Sequence, residues 1–235
     1  MRKIFPLGTV LAALLLHGAS ALAAAPVRHI AIHVQPYYAA AERADRAPQV
    51  AIGASLSGLL ASTRREDIVK ARDKVAADPK LITPMTMMVL AIRLYDVGLR
   101  DDAVFWFYVA KDRYITLSQV LDIEESKMGQ VEDAVRSFAT LAGPIINGYA
   151  FCDFAKQSEL RAKALAWVEQ NPYQAIFMDR FTAKPGNRAE SLKRAIRTLR
   201  QNVDTEQAYL ADPKRAADFQ ATRSKNEADA KFCWK

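Results

Sequence analysis

The stretch of sequence that decides the fold is residues 84–110, which read PMTMMVLAIRLYDVGLRDDAVFWFYVA. Two segments rich in apolar residues flank Gly98, and each is long enough for at least three helical turns. Thr83 followed by Pro84 is a helix-start pattern, because threonine can cap free backbone N–H groups and proline is tolerated at the first helical position. Gly98 is a helix-stop residue. The stretch therefore predicts two helices joined by a tight turn.

Bulky side chains occupy four consecutive positions of the second helix: Phe105, Trp106, Phe107 and Tyr108. Successive helical positions are about 100° apart, so these side chains point in all directions and the helix must be covered on most sides. The first helix carries methionine, leucine, valine and isoleucine on two faces. We interpret its methionines as core filling rather than as an adaptable binding surface. Both helices are expected at the centre of the molecule.

Helical patterns continue on both sides of this hairpin. Thr63-Arg64-Arg65-Glu66 is a capping-box pattern before an apolar run. Further helices are predicted over 129–141, 144–156, 158–170, 187–210 and 213–230. Glycine is scarce, at 9 of 235 residues, and no β-α-β alternation occurs. We therefore predict an all-α fold, a single multi-helix bundle or irregular helical array, with a short extended segment near residues 27–34.

The N-terminus has the three parts of a secretory signal peptide. Arg2 and Lys3 are followed by an apolar stretch over 10–16 and then by small residues over 19–25. We predict a cleaved signal peptide at 1–23, a helical domain at 24–235 and a bacterial periplasmic location. The alternative, a retained membrane anchor, is disfavoured because the apolar stretch is shorter than the roughly 20 residues of a membrane span.

Export to an oxidising compartment bears on the two cysteines, Cys152 and Cys233. Disulfides form and persist in such compartments. We therefore predict a Cys152–Cys233 disulfide that fixes the C-terminal tail, which would otherwise fray. The alternative is a pair of buried or unpaired thiols.

The net charge of +7 is unevenly distributed. Residues 151–235 contain 16 basic and 11 acidic side chains. Many of the basic ones fall on a predicted amphipathic helix, and the candidate partner-binding residues there are Lys193, Arg194, Arg197 and Arg200. A second candidate rim is the acidic stretch with Asp122, Glu124 and Glu125. Export disfavours nucleic acid, so an acidic protein partner or an anionic membrane surface fits better, and both stretches could also be simply solvated surface.

Sequence patterns typical of enzymes are missing. The chain has no Gly-x-Ser-x-Gly, Ser-x-x-Lys or His-Glu-x-x-His motif and no P-loop. Only His29 and His33 follow the predicted leader, and no carboxylate or thiol is near them in sequence. We therefore predict no catalytic residue, no cofactor and no metal site. Carboxylates in the 122–133 stretch leave open a glycan hydrolase that uses a pair of them as acid and base.

A family resemblance adds an expectation about function. The pattern from Ala91 through Tyr95, Gly98 and Ala103 to Tyr108 resembles one helical hairpin of tetratricopeptide or Sel1 type. The predicted leader and the helical sequence from Asp101 to Tyr108 after Gly98 together resemble periplasmic immunity proteins of type VI secretion effectors, including those directed against phospholipase toxins. The resemblance implies a protein that binds a cognate toxin and blocks its active site or substrate entry. Alternatives are a periplasmic cell-wall hydrolase and an envelope scaffold or adaptor.

Overall fold

The computed structural model describes residues 25–32 and 54–234, and this part of the chain confirms the all-α prediction. It contains no β-strand, and the pairing of Leu121 with Ala183 is an isolated bridge. No helix of the described part is both long and apolar enough to cross a bilayer. Its helices are α1 (Ala54–Ala61), α2 (Arg65–Ala77), α3 (Pro84–Asp96), α4 (Arg100–Val120), α5 (Gly129–Ala150), α6 (Phe154–Gln170), α7 (Arg188–Ala211), α8 (Pro213–Lys225) and α9 (Ala228–Phe232).

The α3–α4 hairpin forms as its sequence predicts. The Thr83 hydroxyl accepts a hydrogen bond from the backbone N–H of Thr86, and Pro84 occupies the first turn. Gly98 adopts φ +81°, a left-handed conformation that costs other residues energy. The chain then turns sharply enough for the N–H of Leu99 to donate to the carbonyl of Leu94 at 2.8 Å. Local signals therefore fix this hairpin.

Helix α4 lies at the centre and contacts α3, α5, α6 and α7. Trp106, Phe107 and Tyr108 are all buried, which confirms that this helix is covered on most sides. Trp106 packs edge-on against Trp167 of α6, with ring centroids 5.2 Å apart. The methionines of α3 are also buried, so their predicted role as core filling is confirmed.

Several helix boundaries differ from the sequence predictions. The boundary predicted between the 144–156 and 158–170 helices falls earlier, because α5 ends at Ala150 and α6 begins at Phe154. Helix α5 is continuous through Pro144, although proline removes one helical hydrogen bond. We attribute its continuity to packing against α3 and α4, with Gly143 set close to Phe107. The predicted 213–230 helix is broken at Glu227, which adopts φ 53°. The capping box predicted at Thr63–Glu66 is wrong, because α2 begins after Arg64 and no side chain caps it. The Arg64 side chain instead donates a hydrogen bond to the Asp67 carboxylate.

Both ends of the described chain meet beside the Gly98 turn, in what we call the terminal junction (residues 27–31, Asp96, Arg100 and 231–234). The carboxylate of Asp96 accepts the N–H of Ile30 at 2.6 Å. The N–H of Val27 donates to the carbonyl of Lys231. Trp234 lies under two guanidinium groups, those of Arg28 and Arg100. The predicted extended segment is thus held by the end of α3 and by the C-terminal tail. Its residues beyond 32 lie outside the described ranges.

Cys152 and Cys233 lie at disulfide distance, as predicted, with Cα atoms 5.5 Å apart. The bond links the end of α5 to the end of α9. The buried guanidinium of Arg223 lies beside both sulfur atoms, 3.6 Å from that of Cys152 and 3.2 Å from that of Cys233. The C-terminal tail is therefore fixed covalently as well as through the terminal junction.

Candidate functional site

The predicted basic residues form an exposed surface on α7, named here the basic surface (Lys193, Arg194, Arg197 and Arg200). Part of its charge is neutralised within the chain. Lys193 pairs with Glu190 at 3.0 Å, and Arg200 pairs with Glu169 at 2.5 Å. These pairs are exposed, so each contributes little to stability and can exchange for a partner's carboxylate at small cost.

Arg194 and Arg197 form no ion pair with a described carboxylate, although both lie near enough to Glu190 to help lower the pKa of its carboxyl group. Arg194 donates to the hydroxyl of Ser191 at 2.9 Å, which leaves its positive charge in place. Arg197 has no hydrogen-bond or ion-pair partner among the residues that the structure describes. The basic surface therefore has two arginines whose charges remain available to an external partner.

The acidic candidates lie in the connection between α4 and α5, named the acidic loop (residues 122–125). Asp122 serves a local structural purpose, because its carboxylate accepts the N–H of Glu125 at 3.0 Å. Glu124 and Glu125 are exposed. The bridge between Leu121 and Ala183 places this loop next to the segment that leads into α7. The fold thus brings the acidic loop close to the start of the helix that carries the basic surface.

Sequence reasoning missed a cavity of about 190 Å³ beside this bridge, named here the anchor cavity. It opens between the start of α3, the end of α4, the start of α5 and the connection from α6 to α7. Leu81, at its edge, is 55% exposed, and Phe177, in the neighbouring short 3-10 turn, is 40% exposed. Its apolar lining includes Leu81, Leu117, Met128, Tyr173, Met178 and Phe181. Apolar residues in loops gave the one available signal, but sequence does not reveal exposure.

A buried arginine organises one wall of the anchor cavity. Arg113 is 0% exposed and donates to the carbonyls of Pro79 at 2.6 Å, Ile82 at 2.9 Å and Asn171 at 2.8 Å. Its guanidinium also lies 5.3 Å from the ring centroid of Tyr173. Burial lowers the pKa of Arg113 to about 10, so it remains charged at neutral pH. Arg113 therefore ties together two loops that are far apart in sequence.

A second arginine holds another part of the lining. Arg188, which belongs to the basic stretch of the sequence, donates to the carbonyls of Ile176 at 2.6 Å, Met178 at 3.1 Å and Phe181 at 2.6 Å. Its donors are thereby used inside the protein. The loop over residues 176–181 is held in one shape, which makes the cavity a preformed feature.

A polar network in the interior joins α4, α6 and α7. Asp112 and Arg161 form a buried pair with two hydrogen bonds, at 2.5 and 3.0 Å. Burial raises the pKa of Asp112, and the charge of Arg161 opposes that rise. Gln157 donates to the hydroxyl of Tyr108 and to the carboxylate of Glu206. We interpret the network as structural, since its carboxylates are engaged by side chains of the same chain.

The predicted absence of a metal site rested on the scarcity of histidine. His29 contacts the backbone carbonyl of Asp96 through Nδ1 at 3.1 Å, and His33 lies outside the described residues. Within residues 25–32 and 54–234, no group of three or more His, Cys, Asp or Glu side chains could hold a metal ion. The predicted signal peptide at 1–23 also lies outside the described ranges.

Comparison with known proteins identifies one relative. The chain is similar to an uncharacterized protein of Haemophilus influenzae, with 34% identity over 231 residues that cover 98% of this chain and 89% of the relative. No family model matches the chain. No solved structure matches it.

Proposed function

We propose that this chain, which belongs to the same family as the Haemophilus influenzae protein, is an exported protein-binding module. Its proposed function is to neutralise a secreted toxin. The proposed partner is a cognate effector of the type VI secretion class, met in the periplasm. The module would bind the toxin and block its active site or substrate entry. The single observation that supports this proposal most is the anchor cavity and the exposed apolar side chains beside it.

The size of the cavity favours a protein partner. Sites for small molecules typically enclose about 300–1,000 Å³, whereas this cavity encloses about 190 Å³. Protein interfaces concentrate their binding energy in a few apolar or aromatic side chains that fill such pockets. Leu81 supplies exposed apolar surface in the lining, and the exposed Phe177 directly precedes the lining residue Met178 in the chain. Among the described residues, the large apolar side chains that are exposed are Leu81, Leu141, Phe177 and Tyr209, and the first of these lines the cavity.

Charge around the cavity fits the same interpretation. The acidic loop leads directly to Met128, which lines the cavity, and the N–H of Asp122 donates to the carbonyl of Thr182 just after Phe181. Charged groups at the edge of an interface steer association and select partners more than they add affinity. The acidic loop and the basic surface are the candidate rims.

The test of this proposal is binding and inhibition of a toxin encoded next to this chain. We expect the purified chain to bind the toxin and to suppress its activity in a titration. Leu81→Asp should weaken binding at least about tenfold, because it places a charge at an apolar anchor site. Leu141→Asp is the matched control, since Leu141 is similarly exposed but lies on α5 away from the cavity lining. Absence of both binding and inhibition by the unaltered chain would show that the proposed function is wrong.

The steering role of the basic surface makes a separate prediction. Arg197→Glu should slow association with an acidic toxin surface several-fold and reduce the dependence of the rate on salt. Stopped-flow or surface-plasmon measurements at two ionic strengths give both quantities. Lys214→Glu, on the exposed face of α8, makes the same change of charge elsewhere. Equal association rates for the two variants would remove the basic surface from the interface.

A further inference from the structure

The anchor cavity has a volume suited to one side chain. A cavity of about 150 Å³ with apolar walls is enough to bind benzene, so about 190 Å³ accommodates a phenyl, isobutyl or thioether side chain. Met128 and Met178 line the cavity with flexible thioethers, which adapt to different apolar shapes. The lining thus selects a large apolar group without fixing which one.

One cation faces this apolar lining. Among the described residues, Arg180 is the only charged one that lines the cavity. Its guanidinium lies over the ring of Phe181, 4.9 Å from the centroid, and no described carboxylate is within ion-pair distance of it. Asp179 precedes it in the chain but is not part of the lining. The positive charge of Arg180 is therefore available at the edge of an apolar pocket.

The backbone beneath Arg180 is fixed. The carbonyls of Met178 and Phe181, on either side of Arg180, accept hydrogen bonds from Arg188. A guanidinium held next to an apolar surface binds a carboxylate more strongly than one in open water, because the surroundings screen the charges less. Because Arg188 already fixes the backbone of this loop, binding requires little further ordering of it.

From these features we infer that the anchor cavity receives a large apolar side chain of the partner protein and that Arg180 pairs with a carboxylate adjacent to that side chain. The inference rests on the proposed function, since it names the chemistry of the toxin segment that the cavity binds. That segment carries a phenylalanine, leucine or methionine within two positions of an aspartate or glutamate. The acidic group compensates the charge of Arg180, and the apolar group fills the cavity.

A displayed library of random linear peptides tests this chemistry without knowledge of the toxin. The purified, disulfide-bonded chain is used for selection, and an enriched peptide is then titrated against chain labelled with ¹³C at the methionine methyl groups. We expect enriched peptides to combine a large apolar residue with a nearby acidic one. The methyl signals of Met128 and Met178 should shift more than those of the buried α3 methionines. Arg180→Glu should weaken binding about tenfold through loss of the pair and added repulsion.

Arg215→Glu is the matched control, because Arg215 is also exposed and also lies over an aromatic ring, that of Tyr209. It should bind the peptide as the unaltered chain does. The inference is overturned if no peptide is enriched, if enriched peptides lack an acidic residue, if Met128 and Met178 do not respond, or if Arg180→Glu binds normally. Toxin binding that survives any of these results leaves the proposed function standing. If the peptides behave as expected but the toxin does not bind, the proposed function is refuted and the peptide-binding chemistry of the cavity is not.

Discussion

Replacement of both Cys152 and Cys233 by serine lowers the free energy of unfolding by about 4 kcal/mol, as we expect from the long loop that their disulfide closes. The two residues are 81 positions apart, so the bond removes much of the conformational freedom of the unfolded chain. A loss of this size lowers the melting temperature by about 10 °C for a protein of this length. Chemical denaturation and thermal scans of the two proteins measure both quantities.

Reduction of the unaltered chain provides the control. A dithiol should destabilise the unaltered chain by a similar amount and leave the double-serine variant unchanged. Two results would contradict the prediction: two free thiols in the oxidised protein by mass spectrometry, or equal stability of the two chains without reductant.

Arg161→Met should cost about 3–5 kcal/mol of stability at neutral pH, because it leaves Asp112 buried without its charge partner. The Asp112 side chain is only 2% exposed. Water therefore cannot replace the two hydrogen bonds from Arg161. Urea denaturation of the variant measures the loss.

The pH dependence of this variant has a definite sign. Burial already raises the pKa of Asp112 in the intact protein, and loss of Arg161 removes the opposing charge and raises it further. The folded variant then binds a proton more tightly than the unfolded chain, whose aspartates titrate near 3.9. The stability of the variant must therefore fall as pH rises from the unfolded-state pKa of Asp112 to its higher folded-state pKa. The stability recovers as the pH is lowered.

The control for this prediction removes both charges. Asp112→Leu combined with Arg161→Met should recover most of the stability, since a buried ion pair replaced by apolar groups is often neutral or stabilising. It should also lack the added pH dependence. If the single variant were as stable as the unaltered chain at pH 7, the buried pair would not have the role assigned to it.

Features set by neighbouring residues could be predicted from the sequence. The α3–α4 hairpin follows from Thr83, Pro84 and Gly98, which act within one or two turns of their own positions. The disulfide was predictable because the chain offers only one possible pair of cysteines. The break predicted between the helices 129–141 and 144–156 was wrong, because contacts with α3 and α4, including Phe107, are made by residues distant in sequence.

The anchor cavity could not be predicted for a related reason. Its walls come from segments near residues 81, 117, 128 and 178, which only the folded chain brings together. Arg113 and Arg188 are indistinguishable in the sequence from surface arginines, yet both donate to loop carbonyls inside the protein. The partner-binding candidates on α7 were predicted as a charged helix face. The pairing of Arg200 with Glu169 of α6 depends on packing that sequence does not specify, whereas Lys193 and Glu190 are three positions apart on α7 and their pairing follows from helical spacing.

The terminal junction has a consequence for the order in which the chain folds. Tyr95 and Asp96 are available to residues 27–31 once the first hundred residues have been synthesised, but Trp234 is 207 positions from its hydrogen-bond partner Val27. Contacts of such long range form slowly and require nearly the entire polypeptide. The junction therefore closes last. Any chain shortened at its C-terminus leaves residues 27–31 with only their contacts to Tyr95 and Asp96, which exposes them to proteolysis before the central helices are affected.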